Sequence, residues 1–147
     1  MIVQIRHAKA SDIDEMYQIE RDSFSDPWTK TELERTLNFD GVRARVATGG
    51  GFVVGFVVTQ DDGDDIRIIN LAVSAEFRRQ GIARRMVELC EKKHKNGKIL
   101  ASVVDLNLAG HLFFKSIGFV CTGINHGEYE CSNGELKDSY VFEKTTR

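Results

Sequence analysis

A strand, a short basic loop and a helix follow one another between residues 66 and 90, and this segment most constrains how the chain can fold. From Ile68 onward the predicted strand is apolar on both faces, as is typical of a central strand. The loop after it is basic, and helical periodicity from Gly81 to about Asn96 predicts a helix. The first N–H groups of a helix lack intrahelical partners, and the helix dipole favours negative charge there. The segment therefore predicts a site for a phosphate-bearing ligand.

Composition and charge indicate one domain, spanning residues 1–147, with a single core. The 147 residues are 41% hydrophobic, enough for one compact core, and their net charge is −2. This charge gives no overall attraction to nucleic acid or to anionic membranes. The longest apolar runs, such as residues 51–58, are well below the ~20 residues of a membrane-spanning helix. We therefore expect neither a nucleic-acid partner nor a membrane partner.

The cysteines indicate a reducing compartment. Cys90, Cys121 and Cys131 show no pairing pattern, and the amino terminus has no secretory signal pattern, so we expect a cytoplasmic protein. Cys121, Cys131 and His126 offer only three metal donors without a Cys-x-x-Cys pair, so we predict no metal site.

The remaining pattern predicts an α/β fold with a mixed sheet flanked by helices. Ser11 is expected to cap a first helix, and Thr29 with Glu32 forms a capping-box pair that opens a second. Predicted strands cover residues 3–7, 42–48, 52–60, 66–73 and 98–104, and another helix ends at Gly118. Residues 119–123 and 139–143 are expected to close the sheet as a hairpin across a long polar loop.

The turn at residues 24–28 contains the only proline and the only tryptophan of the chain. Trp28 can be interpreted as part of one wall of a cleft between the first two helices. The simpler interpretation is an aromatic cover over the edge of the core. The residues alone leave both interpretations open.

Several motifs together resemble one family. Arg78-x-x-Gly81-x-Ala83, placed after Leu71-Ala-Val73, resembles the acetyl-CoA signature of the GNAT N-acetyltransferases. Asn107, Phe114 and Gly118-Phe119 fall where that family has Asn, Tyr and Gly-Phe. The segment 24–29 resembles a turn of the RimI-type group, which acetylates protein amino termini, including that of a ribosomal protein. The resemblance implies a GNAT-like, mostly antiparallel sheet of six to seven strands with a central splay, flanked by about four helices.

The resemblance also implies an acetyl-CoA site. The backbone at Leu71 to Val73 would bind the acetyl carbonyl and the pantetheine arm, backbone N–H groups from about Arg79 to Arg84 would bind the pyrophosphate, and Asn107 would contact the cofactor across the splay. The implied set is Leu71, Ala72, Val73, Arg78, Arg79, Gln80, Gly81, Ile82, Ala83, Arg84, Asn107 and Phe114.

The implied catalytic positions depart from the family. RimI-type enzymes use a glutamate and a tyrosine where this chain has Ser102 and Phe114, and neither residue can serve as the usual base or acid. Tyr129, His126 and Glu128 are alternative sources of a base. Ser102 with Asn70 can instead position a water molecule. Catalysis by proximity alone, and acetyl-CoA binding without transfer, stay open as well.

We therefore expect transfer of an acetyl group from acetyl-CoA to a primary amine by direct attack in a ternary complex, with a protein or peptide N-terminal α-amine as the favoured acceptor. Trp28, Asn70 and Tyr129 are the predicted acceptor-binding residues, and Ser102, His126 and Tyr129 are the predicted catalytic residues. A small-molecule amine acetyltransferase and a regulatory acetyl-CoA-binding module are the alternatives.

Overall fold

A seven-stranded sheet runs through the centre of the protein in the computed structural model, which describes residues 2–94 and 96–146. The strands are β1 (Gln4–His7), β2 (Val42–Gly49), β3 (Phe52–Asp62), β4 (Asp65–Val73), β5 (Lys98–Val104), β6 (Val120–Glu130) and β7 (Leu136–Thr145). The helices are α1 (Ile13–Ser23), α2 (Lys30–Leu37), α3 (Ile82–Lys93) and α4 (Leu108–Ser116).

The sheet is mostly antiparallel and splays at its centre. Its strand order is β1-β2-β3-β4-β5-β7-β6, and β4 with β5 is the parallel pair. These two strands pair only between residues 66–68 and 99–101, so their carboxyl-terminal halves separate. The predicted fold class, with its splay and four helices, is confirmed.

The sheet separates two layers of core. Met86, Val87 and Cys90 of α3 pack on one face with Ile66 and Ile68 of β4. Met16 and Ile19 of α1 and Leu33 of α2 pack on the other face with Phe56 and Val58 of β3. Side chains alternate between the two faces along each strand, so neighbouring positions of one strand serve different layers.

The first helices begin close to the predicted positions, with one correction. Ser11 does not cap α1, because it lies within a 3₁₀ turn at Ala10–Asp12. Asp12 occupies the N-cap position of α1 instead, without a side-chain capping bond to that helix. Its carboxylate accepts a hydrogen bond from Lys9 N at 2.7 Å and pairs with Arg6 at 2.7 Å. The capping box predicted for α2 is confirmed, with Thr29 and Glu32 each accepting the other's backbone N–H at 3.1 Å.

Helix α3 is shorter than predicted. It ends at Lys93, and His94 has left the helical conformation. Residue 95, which the predicted helix includes, lies outside the described residues. Gly97 sits against the Asp64 carbonyl, where an added Cβ would be 2.1 Å from the oxygen, so this glycine serves the turn into β5 rather than the helix end.

The closing hairpin is confirmed in its pairing, but the long polar loop predicted between its strands is wrong. Strand β6 continues to Glu130 and β7 begins at Leu136. β6 is an edge strand with an exposed face, so its polar side chains are compatible with a strand. A bulge around Gly127, whose φ is +64°, interrupts the pairing between Asn125 and Tyr129.

Within residues 2–94 and 96–146, no helix is long and apolar enough to cross a membrane.

Candidate active site

A cleft of about 1250 Å³ opens where β4 and β5 separate. The start of α3 borders it on one face of the sheet, and the α1–α2 segment borders it on the other. The predicted site residues that line it are Trp28, Asn70, Leu71, Ala72, Val73, Arg78, Arg79, Ile82, Ala83, Ser102, Asn107, Phe114 and Tyr129. The cleft therefore has two halves, one beside α3 and one beside α1, joined through the splay.

The end of β4 presents backbone groups to the splay. Ser74 N donates to Val54 O of β3 at 2.8 Å, so by strand alternation the N–H groups of Val73 and Leu71 point away from β3. Leu71 N donates to the Asn70 side-chain oxygen at 2.9 Å, and Val73 O accepts from Arg78 Nε at 2.9 Å. The Arg78 guanidinium therefore fastens the basic loop to the strand end, with a second bond to Ser23 Oγ at 3.2 Å.

The start of α3 leaves backbone donors available. Its first hydrogen bond runs from Arg85 N to Gly81 O at 3.0 Å, so the N–H groups of residues 82–84 precede the helical ladder. Gly81 has a φ of +76°, and a Cβ added there would meet nothing within 4 Å. An open space thus lies above a backbone turn that points N–H groups outward. Gln80, Gly81 and Arg84 belong to this turn but do not line the cleft.

Asn107, the N-cap residue of α4, and Phe114 within that helix border the cleft. The Asn107 side-chain oxygen accepts from Gly110 N at 3.0 Å, which caps the helix and fixes the amide. Phe114 is 6% exposed and lies edge-on to Phe119, with ring centroids 5.1 Å apart. Phe114 contributes an apolar wall and carries no proton to donate.

A buried carboxylate lies between Trp28 and Asn70 in the other half of the cleft. Glu20 of α1 is 2% exposed and accepts hydrogen bonds from Trp28 N at 2.9 Å and from Asn70 Nδ2 at 2.7 Å. Burial raises the pKa of Glu20 above its ordinary value of 4.5, although these two hydrogen bonds act in the opposite direction. Trp28 also packs against the core layer beneath α1, so it is both a cleft residue and a cover of the core.

A set of hydrogen bonds joins the α1–α2 loop to the β6–β7 hairpin at this half of the cleft. The Asp26 carboxylate accepts from Ser132 N at 3.1 Å and from the Ser132 hydroxyl. Tyr129 Oη donates to the same carboxylate at 3.4 Å. Hydrogen bonding by Ser132 lowers the pKa of Asp26, whereas burial and the Asp26 charge raise the pKa of Tyr129 to about 12. Tyr129 is therefore protonated at neutral pH and acts as a donor.

Ser102 lies in the same half and is bonded to an arginine. Arg67 of β4 donates to Ser102 Oγ at 3.2 Å and pairs with Asp62 at 3.4 Å. His126, by contrast, does not line the cleft. Its side chain is 78% exposed, and its Nδ1 lies 3.3 Å from the Asp138 carboxylate. The structure thus brings Ser102 and Tyr129 to one cleft and leaves His126 outside it.

Known proteins are similar to this chain in sequence and in fold. The acetyltransferase (GNAT) family matches residues 13–119. The chain belongs to this family. It is 32% identical over 136 residues to a Bacillus subtilis (strain 168) protein whose assignment as a ribosomal protein bS18-alanine N-acetyltransferase is provisional, and the match covers 89% of each chain.

Escherichia coli provides one match in sequence and one match in fold. The ribosomal protein bS18-alanine N-acetyltransferase of strain K12 is 28% identical over 138 residues, covering 88% of this chain and 89% of that protein. The crystal structure of the ribosomal-protein-S18-alanine N-acetyltransferase from Escherichia coli superposes with a TM-score of 0.82 at 22% identity, covering 97% of this chain and 92% of that one.

Sequence reasoning missed Glu20 and Arg67 of this GNAT domain. A signal existed for Glu20, because residues 13, 16, 17 and 20 share one helical face and the first three are apolar. A carboxylate on such a face is rarely buried without partners. No comparable signal marks Arg67, whose contact with Ser102 depends on the pairing of two strands far apart in sequence.

Proposed function

We propose that the protein transfers the acetyl group of acetyl-CoA to the α-amine at the amino terminus of a protein or peptide. The observation that carries this proposal is the continuous cleft through the splayed sheet. Backbone N–H donors lie at its α3 end, and polar side chains lie at its α1 end, where Tyr129 donates a hydrogen bond to Asp26. The protein-acetylating activity named for the Bacillus and Escherichia relatives supports the choice of acceptor.

The α3 half of the cleft fits acetyl-CoA. The outward N–H groups at residues 82–84 and the open space above Gly81 suit a pyrophosphate, which carries charge and approaches backbone closely. Arg78 holds the loop in this shape, and Arg79 adds positive charge at the cleft wall. Asn107, the N-cap residue of α4, lines the cleft as well. The backbone from Leu71 to Val73 would extend along the pantetheine arm once the Asn70 side chain releases Leu71 N.

The reaction would join the amine nitrogen to the acetyl carbon and break the carbon–sulfur bond, so one proton must leave the nitrogen and the thiolate must gain one. We assign the transfer of the amine proton to Glu20, acting through a water molecule. Burial raises the pKa of Glu20 toward neutral pH, which suits a general base. Asn70 and Trp28 hold the carboxylate in place. Tyr129 has the hydroxyl that can orient the amine. Ser102 can orient a water molecule beside the thioester, and this water would supply the proton that the departing thiolate gains.

The decisive experiment incubates the protein with acetyl-CoA and a panel of peptides and small amines, and reads products by intact mass. We expect a gain of about 42 Da on peptide N-termini, because one acetyl group replaces one hydrogen, together with thermal stabilisation by CoA. Stabilisation without any product would favour the acetyl-CoA-binding module instead. The absence of both effects would contradict the proposal.

The three cysteines agree with a cytoplasmic location, which we propose on that ground. Cys90 is buried, Cys121 is exposed and Cys131 is half-buried, and all three are free thiols. Free cysteines of this kind persist in reducing compartments.

A further inference from the structure

The half of the cleft beside α1, which is the acceptor half, contains a positively charged side chain, that of Arg67. Along β4, Ile66 and Ile68 pack beneath α3, so Arg67 between them faces the opposite side, toward α1. The same alternation on β5 turns Ser102 away from Ala101 and toward α1. The Arg67 guanidinium therefore lies on the acceptor side of the sheet and meets the Ser102 hydroxyl at 3.2 Å.

Arg67 has donors to spare. A guanidinium has five N–H donors, and its contacts within the described residues are Ser102 and the Asp62 carboxylate. The Asp62 contact is 3.4 Å long and its carboxylate is 55% exposed, so this pair is weak and screened by solvent. Arg67 can thus donate hydrogen bonds to an anionic ligand without losing a strong ion pair.

A buried serine adds another polar side chain to the same face of the sheet. Ser139 of β7 is 4% exposed, lines the cleft, and its hydroxyl has no hydrogen-bond partner within residues 2–94 and 96–146. Ser139 lies two residues from Val141, which pairs with Ser102. Arg67, Ser102 and Ser139 therefore form a polar strip across three strands, and buried polar groups normally have partners.

Most of the other charges near the acceptor half are already engaged. Lys137 pairs with Glu135 at 2.9 Å, a closer contact than the 3.4 Å between Arg67 and Asp62. Asp26 accepts hydrogen bonds from Ser132 and Tyr129. Glu20 is buried between Trp28 and Asn70. Glu128 lines the cleft as an exposed side chain. Arg67 is therefore the cation available to the ligand at the floor of this half, among the residues that the structure describes.

We propose that the polar strip of Arg67, Ser102 and Ser139 is a subsite that binds a carboxylate of the acceptor, so that the enzyme selects amines carrying an acidic group nearby. This inference rests on the proposed function and specifies its acceptor. Arg67 precedes Asn70 by three residues, or about 10 Å of strand. An extended peptide covers that distance in about three residues, so the carboxylate belongs at the second or third residue of the acceptor or at the end of a short one.

The test compares peptides that differ only at the second or third residue, with Asp, Asn or Lys there, each with a free or an amidated carboxyl terminus. We expect kcat/KM for the Asp peptide to exceed that for the Lys peptide about tenfold, mainly through KM. Arg67→Gln should remove this preference, and Arg67→Glu should reverse it. Arg43→Gln is the matched control, because Arg43 also pairs with an aspartate, at 3.6 Å, but lies outside the cleft.

The two carboxylate sources give different patterns. A rate loss on replacing Asp by Asn assigns the bound group to a side chain, and a rate loss on amidation assigns it to the chain terminus; either supports the subsite. Equal rates for all peptides, or an unchanged preference in Arg67→Gln, overturns it. Peptide binding in the presence of CoA, measured by calorimetry, provides a readout without turnover. An Asp preference in binding but no acetylated product would contradict the proposed function and leave the subsite supported.

Discussion

Glu20 occupies a position where a carboxylate is rare, on the apolar face of α1 and 2% exposed. Both of its oxygens accept hydrogen bonds, one from the backbone of Trp28 and one from the side chain of Asn70. It therefore connects the two acceptor-side residues that the sequence indicated. Its buried charge costs stability whenever it is ionised, and residues retained at such a cost often serve function.

Replacing Glu20 by Gln tests this role through pH. The folded pKa of Glu20 lies above its unfolded value, so the wild-type free energy of unfolding should fall as pH rises from about the ordinary carboxyl pKa of 4.5 through the raised folded value. Below that pH range the contribution of protonated Glu20 to the free energy of unfolding is fully present. The Glu20→Gln variant should lack this slope, and its kcat should lose the rise with pH that ionisation of a base produces. Chemical denaturation and kinetics over a pH series measure both.

Glu15→Gln is the control for this substitution. Glu15 lies on the same helix, and its carboxylate also accepts one backbone N–H, from Val53 at 2.8 Å, but it does not line the cleft. A variant at Glu15 that shows the same kinetic loss would mean that Glu20 acts only by supporting α1.

Among the elements, the β6–β7 hairpin depends on one side chain from a distant loop. Asp26 holds Ser132 and Tyr129 across a separation of more than 100 residues in sequence. The hairpin is at the edge of the sheet, and the bulge around Gly127 weakens its own pairing. The position of the hairpin tip over the acceptor half therefore follows from this contact as much as from its strands.

Asp26→Asn should release the hairpin tip. We expect faster hydrogen exchange at residues 129–135 and a rise in peptide KM with little change in CoA binding, because the hydrogen bonds of the Asp26 carboxylate lie only on the acceptor side. The pKa of Tyr129 should fall from about 12, since the nearby negative charge is removed. Asp22→Asn, at an exposed carboxylate of the same segment, should change none of these quantities. Unaltered exchange in the hairpin would contradict the assigned contact.

The turn before α3 gives a second element-scale prediction. Gly81→Leu should abolish thermal stabilisation by CoA, because the side chain would enter the open space proposed for the pyrophosphate. It should also cost about 1 kcal/mol of stability, since φ is +76° there. Gly63→Leu is the matched control, because Gly63 has a φ of +65° and equally open surroundings in another turn. Equal stabilisation of both variants by CoA would show that the phosphate site is elsewhere.

At the scale of the whole molecule, three pairs of residues join the two halves of the sheet at β4 and β5. Their separation beyond residue 68 creates the cleft, so the cleft is a property of the topology rather than of any one loop. A ligand that contacts both strands supplies the connection that the hydrogen-bond ladder lacks.

Acetyl-CoA should therefore slow hydrogen exchange at residues 71–73 and 102–104 together. The nucleotide part of CoA without the pantetheine arm should protect only the basic loop and the start of α3. Exchange measured by mass spectrometry on the free protein and on both mixtures checks this. Protection confined to the loop in both mixtures would contradict the placement of the arm in the splay.

Sequence predicts what depends on local periodicity and on recognisable motifs, and it predicts less of what depends on distant contacts. The strand–loop–helix at residues 66–90 and the capping box of α2 follow from local pattern. The long β6–β7 hairpin does not, because polar edge strands resemble loops. Likewise Trp28 could be assigned to the cleft by resemblance, but Glu20, Arg67 and Asp26 acquire their roles only from partners between 8 and 106 residues away.

The bond between Asp26 and the β6–β7 hairpin also determines the direction from which an acceptor can arrive. An open groove can bind a continuous chain laid across it. Here hydrogen bonds join the two sides of the groove, the α1–α2 loop and the β6–β7 hairpin. On the proposed function, a polypeptide would then enter with its amino terminus first, and a loop in the middle of a folded protein has no free end that could enter. The enzyme would thus distinguish a chain terminus from an internal lysine by connectivity, before any chemistry of the amine is tested.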